Sequence, residues 1–285
     1  MGDWKQRPIL ITGSRGQLGR SLVELCTSRG IEFEGRDIDT MDICDKSAVT
    51  RWIEEAQPGA VIYCAAFTAV DDCDSNEELA LRVNGEAVGP LASACNAVGA
   101  RLVQISTDYV FAGDNVTPYS VDDPVNPAGA YGRTKLAGEE LAQTARDHVV
   151  VRTAWLYGHG GRNFVEAIRG QIGSGRECLK VVADQQGCPT YSNDLAEAIL
   201  DLVEVGTGGI FHAVNTGATT WHGFALAIAE CLGADVKILP VSTEEFPRPA
   251  PRPRYSVLDT SRLEAELGRG MPSWRDALQR YLENE

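Results

Sequence analysis

The sequence contains no apolar run that approaches the roughly 18 residues of a membrane-spanning helix. Its first residues, MGDWKQRP, lack the apolar core of a signal peptide, and position 6 lacks the Ser or Thr of a myristoylation site. From these absences we expect a cytoplasmic protein that does not bind membranes.

Basic residues are also few, since 26 Lys and Arg stand against 40 Asp and Glu and the net charge is −14. A surface of this charge repels nucleic acid, so no nucleic-acid partner is expected. A phosphorylated ligand would require arginines or lysines close to its phosphates.

Neither the eight cysteines nor the four histidines show metal-ligand spacing, and no Cys-x-x-Cys pair occurs. Most of the cysteines have apolar neighbours, which is typical of reduced thiols that pack as small hydrophobic side chains. The sequence therefore predicts neither a disulfide framework nor a metal site.

Short runs rich in β-branched residues alternate with helical segments in the first half of the chain. This alternation is typical of a parallel sheet covered on both faces, so we predict an α/β fold with a doubly wound parallel sheet of the Rossmann type. Asp45 has the position of a helix N-cap, and Pro90 is expected to kink or break the third helix. The predicted strands cover residues 8–12, 31–35, 60–66, 101–106 and 149–153, and the helices begin near Gln17, Lys46, Asn76 and Tyr131.

We assign residues 1–155 to a dinucleotide-binding Rossmann domain and residues 156–285 mainly to a smaller C-terminal substrate-binding lobe. The segment GIFHAVN, 209–215, has the pattern of a strand and is expected to return to the first domain. The segment 244–256 is rich in proline and is expected to be extended or irregular.

Three glycines, Gly13, Gly16 and Gly19, follow the first predicted strand and lead into a helix. Without Cβ atoms the backbone can approach a pyrophosphate, which would then lie at the positive end of that helix. The position of the pattern after the first strand of an alternating fold favours dinucleotide binding over a merely structural turn.

The residues near the second strand bear on the choice of dinucleotide. Asp37 suits a ribose 2′-hydroxyl, which favours NADH. Arg36 beside it and Arg15 in the glycine loop could face a 2′-phosphate, which favours NADPH. We predict NADPH as the cofactor, with NADH as the alternative.

Tyr131 and Lys135 lie four residues apart near the start of a predicted helix, and therefore on one face of it. A tyrosine with a pKa of about 10 is a poor acid–base group at neutral pH. A nearby ammonium is expected to lower that pKa and make proton exchange with a substrate oxygen practical. Thr107, at the end of a predicted strand in STDYVF, would deliver a hydroxyl to the same site.

Five motifs in this order, TGSRGQLG, AAFTAVD, STDYVF, YGRTK and RTAWLYG, resemble the extended short-chain dehydrogenase/reductase superfamily. Three later motifs, VVADQQGCPT, RPRYSVLDTSRL and MPSW, are similar to those of the dTDP-4-dehydrorhamnose reductases within it. The resemblance covers nearly the whole chain. It implies NADPH-dependent reduction of the C4 ketone of dTDP-4-dehydro-β-L-rhamnose to dTDP-β-L-rhamnose.

The resemblance also implies roles for individual residues. Thr107 corresponds to the hydroxyl that binds the substrate C4 oxygen, Tyr131 to the proton donor, and Lys135 to the residue that binds the nicotinamide ribose. Further cofactor contacts are implied for Gly16, Gln17, Leu18, Asp42, Ile43, Ala65, Ala66 and Thr68, and substrate contacts for Asp108, Trp155 and Arg252.

Several alternatives remain open. Related nucleotide-sugar 4,6-dehydratases carry Glu where this chain has Tyr109, which ionises too weakly to assist the elimination of water, so dehydration is disfavoured. The chemistry could serve another dTDP-4-keto-6-deoxy sugar of a secondary-metabolite pathway, and the fold also suits a nucleotide-sugar epimerase. A non-catalytic regulatory subunit is disfavoured by the intact set of Thr107, Tyr131 and Lys135.

The expected partner is a dTDP-sugar, whose two phosphates require local positive charge. Arg248, Arg252 and Arg254 provide it in the proline-rich segment, and Arg252 is the first candidate. Some family members form dimers through Mg²⁺ bridged by glutamates, but Arg20 and Ser21 occupy the matching place here. A monomer or a homodimer without metal is therefore expected.

Overall fold

The computed structural model describes residues 6–283, and strands alternate with helices through its first half. The strands of this half are β1 (Ile9–Thr12), β2 (Phe33–Arg36), β3 (Ala60–Tyr63), β4 (Arg101–Thr107) and β5 (His148–Thr153). The helices are α1 (Gln17–Arg29), α2 (Lys46–Ala56), α3 (Val70–Cys73), α4 (Glu77–Leu81), α5 (Val88–Val98) and α6 (Ala130–Ala142). A π-helical turn (Arg82–Glu86) joins α4 to α5, and a 3₁₀ turn (Asp108–Val110) follows β4.

The second half contains more short strands and fewer long ones. Its strands are β6 (Leu156–Tyr157), β7 (Cys178–Val182), β8 (Gln186–Gly187), β9 (Thr190–Tyr191), β10 (Gly209–His212), β11 (Thr219–Thr220) and β12 (Lys237–Val241). Its helices are α7 (Phe164–Gly173), α8 (Ser192–Val205), α9 (Trp221–Cys231), α10 (Ser261–Leu267) and α11 (Trp274–Glu283).

Six strands form one sheet in the order β10-β5-β4-β3-β1-β2, and every pair in it is parallel. The prediction of a doubly wound parallel sheet is therefore confirmed. The chain leaves β1 toward β2 on one side and returns to β3 on the other, so the strand order reverses at β1. A crevice at the carboxyl ends of such a pair is where open α/β sheets bind ligands.

Apolar side chains cover both faces of this sheet. Ile9 and Ile11 of β1 pack toward α1 and α8, whereas Leu10 packs toward α2 and α5. Successive strand residues point to opposite faces, so a strand buried on both sides is apolar throughout. The result is a three-layer arrangement that holds the carboxyl ends of β1, β3 and β4 in fixed register.

Two local predictions have different outcomes. Asp45 is the N-cap of α2, where its side chain accepts hydrogen bonds from two backbone N–H groups, as predicted. The helix was expected to break at Pro90, but the irregularity lies just upstream in the π-helical turn, where the Ala87 N–H donates to the Arg82 carbonyl. Pro90 instead occupies the first turn of α5, where proline is tolerated.

The C-terminal lobe has its own apolar core between α7, α9 and α11, with Phe224, Ile228 and Leu278 fully buried. Strand β10 does not belong to this core, since it pairs with β5 in the main sheet. All eight cysteines are unpaired thiols. Between residues 6 and 283, no helix combines the length and the apolar character that crossing a bilayer demands.

Candidate active site

The glycine loop packs directly against the end of β3. Gly13 has φ +62°, and a Cβ there would lie 2.8 Å from the backbone nitrogen of Ala65. A Cβ on Gly19 would lie 2.1 Å from the carbonyl oxygen of Gly13. These separations are too short for any side chain, so the backbone path after β1 depends on both glycines.

Gly16 is the N-cap of α1, and no side chain of the described residues forms a cap hydrogen bond there. The first N–H groups of a helix have no partner within the helix, and together with the helix dipole they attract anions. The loop thus presents free backbone donors at the start of α1, which fits the pyrophosphate of a dinucleotide. Gln17 and Leu18 form the first turn of this helix.

Asp37 ties the glycine loop to the end of β2. Its carboxylate accepts the backbone N–H groups of Arg15 and Ile38, each at 2.8 Å. The Arg15 side chain is exposed and forms an ion pair with Asp39. Arg15 and Asp37 are therefore neighbours at the mouth of the loop, where both candidate cofactor-discriminating charges can reach a ribose.

Arg36, the other predicted cofactor residue, directly precedes Asp37 at the end of β2, but its side chain makes separate contacts. Its guanidinium pairs with Glu34 at 2.9 Å and lies 4.9 Å from the ring centre of Trp52 in α2. These contacts direct its positive charge to the face of the sheet covered by α2. The Arg36 carbonyl accepts the Ser14 N–H of the glycine loop at 3.2 Å, but its guanidinium lies over Trp52, so of the two arginines only Arg15 has its side chain at the loop.

The segment after β3 is held by a side chain that sequence reasoning missed. Buried Asn84, in the π-helical turn, accepts the Phe67 N–H at 2.8 Å and donates to the Phe67 carbonyl at 3.2 Å and to Thr134 at 3.1 Å. Its amide thereby fixes the path of Ala65, Ala66 and exposed Thr68, three of the predicted cofactor contacts. The flanking sequence, LRVNGE, mixes charged and apolar residues, so no local signal marked this amide as buried.

The remaining predicted cofactor contacts lie beyond β2. Ile43 is buried in the core beneath α2, whereas Asp42 is exposed and accepts the Cys44 N–H at 2.9 Å. An exposed carboxylate beside a buried aliphatic side chain forms an edge that suits a polar heterocycle.

Thr107 ends β4 and Tyr131 lies in the first turn of α6, and the structure brings the two together. The Thr107 hydroxyl faces the Tyr131 phenol and donates a hydrogen bond to Asp108 at 3.0 Å. The Tyr131 ring also meets the ring of Tyr109 edge to face, with centroids 5.5 Å apart. Two hydroxyls thus converge at the carboxyl edge of the sheet.

The protonation of Tyr131 differs from the prediction. Burial, and then the charge of Asp108, raise the pKa of the Tyr131 phenol, while the Thr107 hydroxyl acts in the opposite direction. The sequence predicted that Lys135 would lower this pKa, but the groups that act on it in this structure, besides burial, are Asp108, Thr107 and Cys73. The phenol therefore keeps its proton at neutral pH, which is the form a proton donor requires.

Lys135 is buried one helical turn after Tyr131, with 3% of its surface exposed. Burial lowers the pKa of its ammonium to about 8, and the carboxylate of Glu139, followed by the Cys64 thiol, opposes that change. The side chain is thus poised between charged and neutral forms close to physiological pH.

Glu139 belongs to a buried ion pair that the sequence reasoning did not identify. Arg152 donates to both of its carboxylate oxygens, at 2.9 and 2.8 Å, and the Ser106 hydroxyl donates to one of them. Tyr131, Lys135 and Glu139 follow one another at intervals of four residues, and this spacing was the available signal.

Of two further predicted substrate contacts, Asp108 accepts a hydrogen bond from the Thr107 hydroxyl, and Trp155 lies in the loop after β5. Asp108 is buried, and burial raises its pKa to about 6 although the Ser256 and Thr107 hydroxyls act against this. Trp155 has a left-handed backbone conformation, φ +46°, and its indole stacks on Trp221 with ring centres 3.5 Å apart. Trp221, which sequence reasoning missed, connects the loop after β5 to the C-terminal lobe.

Two clefts border the carboxyl edge of the sheet. A small one of about 30 Å³ is lined by residues that include Tyr109 and Arg252, next to Tyr131. A larger one of about 440 Å³ lies beyond β10, and its charged lining consists of Asp259 and Glu264. Those carboxylates repel a diphosphate, whereas Arg252 supplies positive charge at the small cleft.

Comparison with known proteins places this geometry in a family. The model of the RmlD substrate binding domain matches residues 7–285. A dTDP-4-dehydrorhamnose reductase of Streptomyces griseus is 44% identical over 277 residues, which cover 94% of this chain and 91% of that protein. A probable dTDP-4,6-dihydroxy-2-methyloxan-3-one 4-ketoreductase of Streptomyces antibioticus is 42% identical over 274 residues, or 95% and 92% of the two chains.

A solved structure gives the same result for the fold. The dTDP-4-dehydrorhamnose reductase of Bacillus anthracis, in complex with NADP, superposes with a TM-score of 0.95 and 38% sequence identity. The match covers 98% of this chain and 99% of that one. The chain therefore belongs to the RmlD substrate binding domain family, together with the dTDP-4-dehydrorhamnose reductases.

Proposed function

We propose that this protein is an NADPH-dependent dTDP-4-dehydrorhamnose reductase, which reduces the C4 ketone of dTDP-4-dehydro-β-L-rhamnose to give dTDP-β-L-rhamnose. The observation that carries the proposal is the convergence of the Thr107 and Tyr131 hydroxyls beside buried Lys135, at the strand ends next to the glycine loop. The full-length similarity to dTDP-4-dehydrorhamnose reductases supports the same substrate class.

The glycine loop and its neighbours would hold the cofactor. Gly13, Gly16 and Gly19, with the first turn of α1, would bind the pyrophosphate, and Arg15 near Asp37 would face the adenosine ribose. Lys135 would bind the nicotinamide ribose through its ammonium. When bound, NADPH supplies the hydride for the reduction, and the complex of the Bacillus anthracis enzyme with NADP supports this choice over NADH.

Tyr131 and Thr107 would act on the substrate oxygen. As the ketone oxygen gains negative charge, the Tyr131 hydroxyl donates a hydrogen bond to it, and the Thr107 hydroxyl, whose single proton points to Asp108 in this structure, turns to donate to it as well. These bonds are strongest in the transition state. Tyr131 then transfers its proton to that oxygen. The Tyr131 phenol carries this proton at neutral pH, because the ordinary pKa of tyrosine is already about 10.

The substrate would lie between the two parts of the chain. We assign residues 1–155 to cofactor binding and residues 156–285 mainly to substrate binding, with Asp108 and Trp155 beside the sugar and Arg252 near the diphosphate. The enzyme would act in the cytoplasm as a monomer or a homodimer. Its acidic surface makes the local arginines important for the capture of a diphosphate.

A second candidate keeps the chemistry and changes the sugar. The Streptomyces antibioticus relative, named as a 4-ketoreductase of a different dTDP-sugar, is nearly as similar to this chain as the Streptomyces griseus reductase. Assays with both types of 4-ketosugar would distinguish these substrates by their kcat/KM values.

The test is NADPH oxidation by the purified protein with dTDP-4-dehydrorhamnose generated in situ. We expect oxidation that requires the sugar and falls by roughly 10²–10⁴ in Tyr131→Phe, the usual contribution of one positioned acid. Tyr157→Phe is the matched control, because the buried Tyr157 hydroxyl has no hydrogen-bond partner among the described residues. A loss of less than about tenfold in Tyr131→Phe would exclude the assigned proton donor. Conversion of the sugar without net oxidation would indicate an epimerase.

A further inference from the structure

Arg252 is held in place by a carboxylate far away in the sequence. Its Nη2 lies 2.8 Å from Oδ1 of Asp71, at a separation of 181 residues, and its Nη1 donates to the Ala250 carbonyl at 3.1 Å. The Arg252 side chain is 15% exposed. Asp71 lies in α3, which directly follows the segment with Ala65, Ala66 and Thr68.

The same carboxylate fixes more of the proline-rich segment. Oδ1 of Asp71 also accepts the backbone N–H of Ala250 at 3.3 Å, and Oδ2 lies 4.0 Å from Nη1 of Arg248. One acidic side chain therefore contacts two arginines and the backbone between them. The cluster keeps a net positive charge, because two guanidinium groups surround one carboxylate.

This cluster borders the catalytic hydroxyls. Arg252 lies close enough to Tyr109 to act on the pKa of its phenol, and the Tyr109 ring meets Tyr131 edge to face. Pro253 packs against Gly113, where a Cβ would lie 2.3 Å from the proline Cβ. The segment is thereby seated at the rim of the small cleft that Tyr109 and Arg252 line.

The Arg252 guanidinium has further N–H donors at the rim of the small cleft. Arginine has five N–H donors in a planar fork, and within residues 6–283 the Arg252 side chain uses two of them, toward Asp71 and Ala250. The other three remain for an anion. A fork oriented in advance loses less conformational entropy on binding a phosphate than a mobile one does.

We propose that Asp71 is a positioning residue for the sugar-nucleotide diphosphate: it orients the Arg252 guanidinium beside Tyr109 so that the unused N–H groups face the phosphates. The inference rests on the proposed function, because it requires a substrate with a diphosphate. Asp71 itself does not touch the substrate. Removal of its charge leaves Arg252 present but no longer oriented.

The first test compares Asp71→Asn with wild type in steady-state kinetics. We expect KM for the dTDP-sugar to rise by about tenfold, as befits one charge-assisted contact, with kcat changed by less than about threefold. The Kd for NADPH should stay unchanged, which also verifies that the variant is folded. An unchanged KM would overturn the proposal, because Arg252 would then not depend on Asp71 for its orientation. A lower KM would also overturn it, because Asp71 would then compete with the diphosphate for Arg252.

Asp72→Asn is the matched control. It removes the same charge one residue away, but Asp72 is exposed and its carboxylate forms no hydrogen bond within the described part of the chain. Its kinetics should match wild type. An equal rise of KM in both variants would overturn the proposal, because it would reflect the general loss of negative charge.

A double-mutant cycle separates positioning from a merely structural role. With Arg252→Ala as background, Asp71→Asn should raise KM no further, because the group that it orients is missing. The same factor in both backgrounds would overturn the inference. Failure of the proposed function has a different signature: wild type would not oxidise NADPH with any dTDP-4-ketosugar.

Discussion

The glycine loop and the proline-rich segment 244–256 are built in opposite ways, although both are predicted to bind phosphates. The glycine loop would bind through its backbone, and its shape depends on contacts between Gly13 and Gly19 and with the end of β3. The proline-rich segment would bind through side chains. Its Arg252 is held by a hydrogen bond to Asp71, which lies 181 residues away in the sequence.

The difference shows which kind of site a sequence reveals. A backbone cradle requires glycine at fixed spacing, so its pattern is local and visible. A side-chain site requires only that suitable groups come together in the folded chain. The distances between these groups along the sequence follow no fixed pattern, so the sequence does not reveal the site. The two regions should therefore respond differently to substitution.

The largest expected effect concerns the buried side-chain network next to Lys135. Glu139→Gln should lower the free energy of unfolding by about 3–5 kcal/mol, because it leaves the buried Arg152 charge without its partner. The control is Glu77→Gln, since Glu77 pairs with Arg133 on the surface and its loss should change the same free energy by at most about 1 kcal/mol. Urea denaturation of both variants measures the contrast, and equal losses would contradict it.

A single added methyl group in the glycine loop should weaken NADPH binding. In Gly19→Ala the new Cβ would overlap the Gly13 carbonyl, so the loop must shift and the Kd for NADPH should rise by roughly a hundredfold. Gly170→Ala in α7 is the matched control, because no atom beyond the adjacent backbone of its own helix lies within 4 Å of its Cβ position, and it should leave NADPH binding unchanged. Fluorescence titration with NADPH measures the Kd of both variants. Tight binding by Gly19→Ala would show that the glycine loop does not hold the cofactor.

A smaller effect is expected at the substrate side, with a defined pH dependence. The pKa of Asp108 is raised to about 6 by burial, so wild type loses stability as pH rises from the unfolded pKa of about 4 through the folded one. Asp108→Asn removes this loss and should gain about 2 kcal/mol relative to wild type between about pH 4 and pH 7.5. Denaturation at the two pH values tests this, and a difference that is independent of pH would contradict it.

The sequence predicted much of the fold because the relevant signals are local. Strand alternation, the Asp45 cap and the start of α1 at Gln17 each depend on residues close together in the chain. The strand predicted over 60–66 ends at Tyr63, because the Ala65 N–H donates to the Thr12 side-chain hydroxyl instead of a backbone carbonyl of β1. The strand predicted over 209–215 ends at His212, and the Asn215 side chain binds Asp194 and the Tyr191 N–H.

In the candidate site, too, the residues with local sequence signals were predicted and those that act through distant partners were not. Glycine spacing and the interval from Tyr131 to Lys135 identified groups that lie at one edge of the sheet. Asp71, Asn84 and Trp221 were missed because each acts on a partner that only the folded chain brings near. The direction of the Tyr131 pKa shift was also wrong, because burial depends on the whole fold.

The most direct test of the proposed reaction follows the hydride. The protein would be incubated with dTDP-4-dehydrorhamnose and NADPH that carries deuterium at nicotinamide C4 in the transferred position, and the product examined by NMR. We predict deuterium at C4 of the sugar, in dTDP-rhamnose, and none at other carbons. A product without deuterium, or with deuterium at another carbon, would contradict direct reduction of the C4 ketone at the Thr107–Tyr131 site.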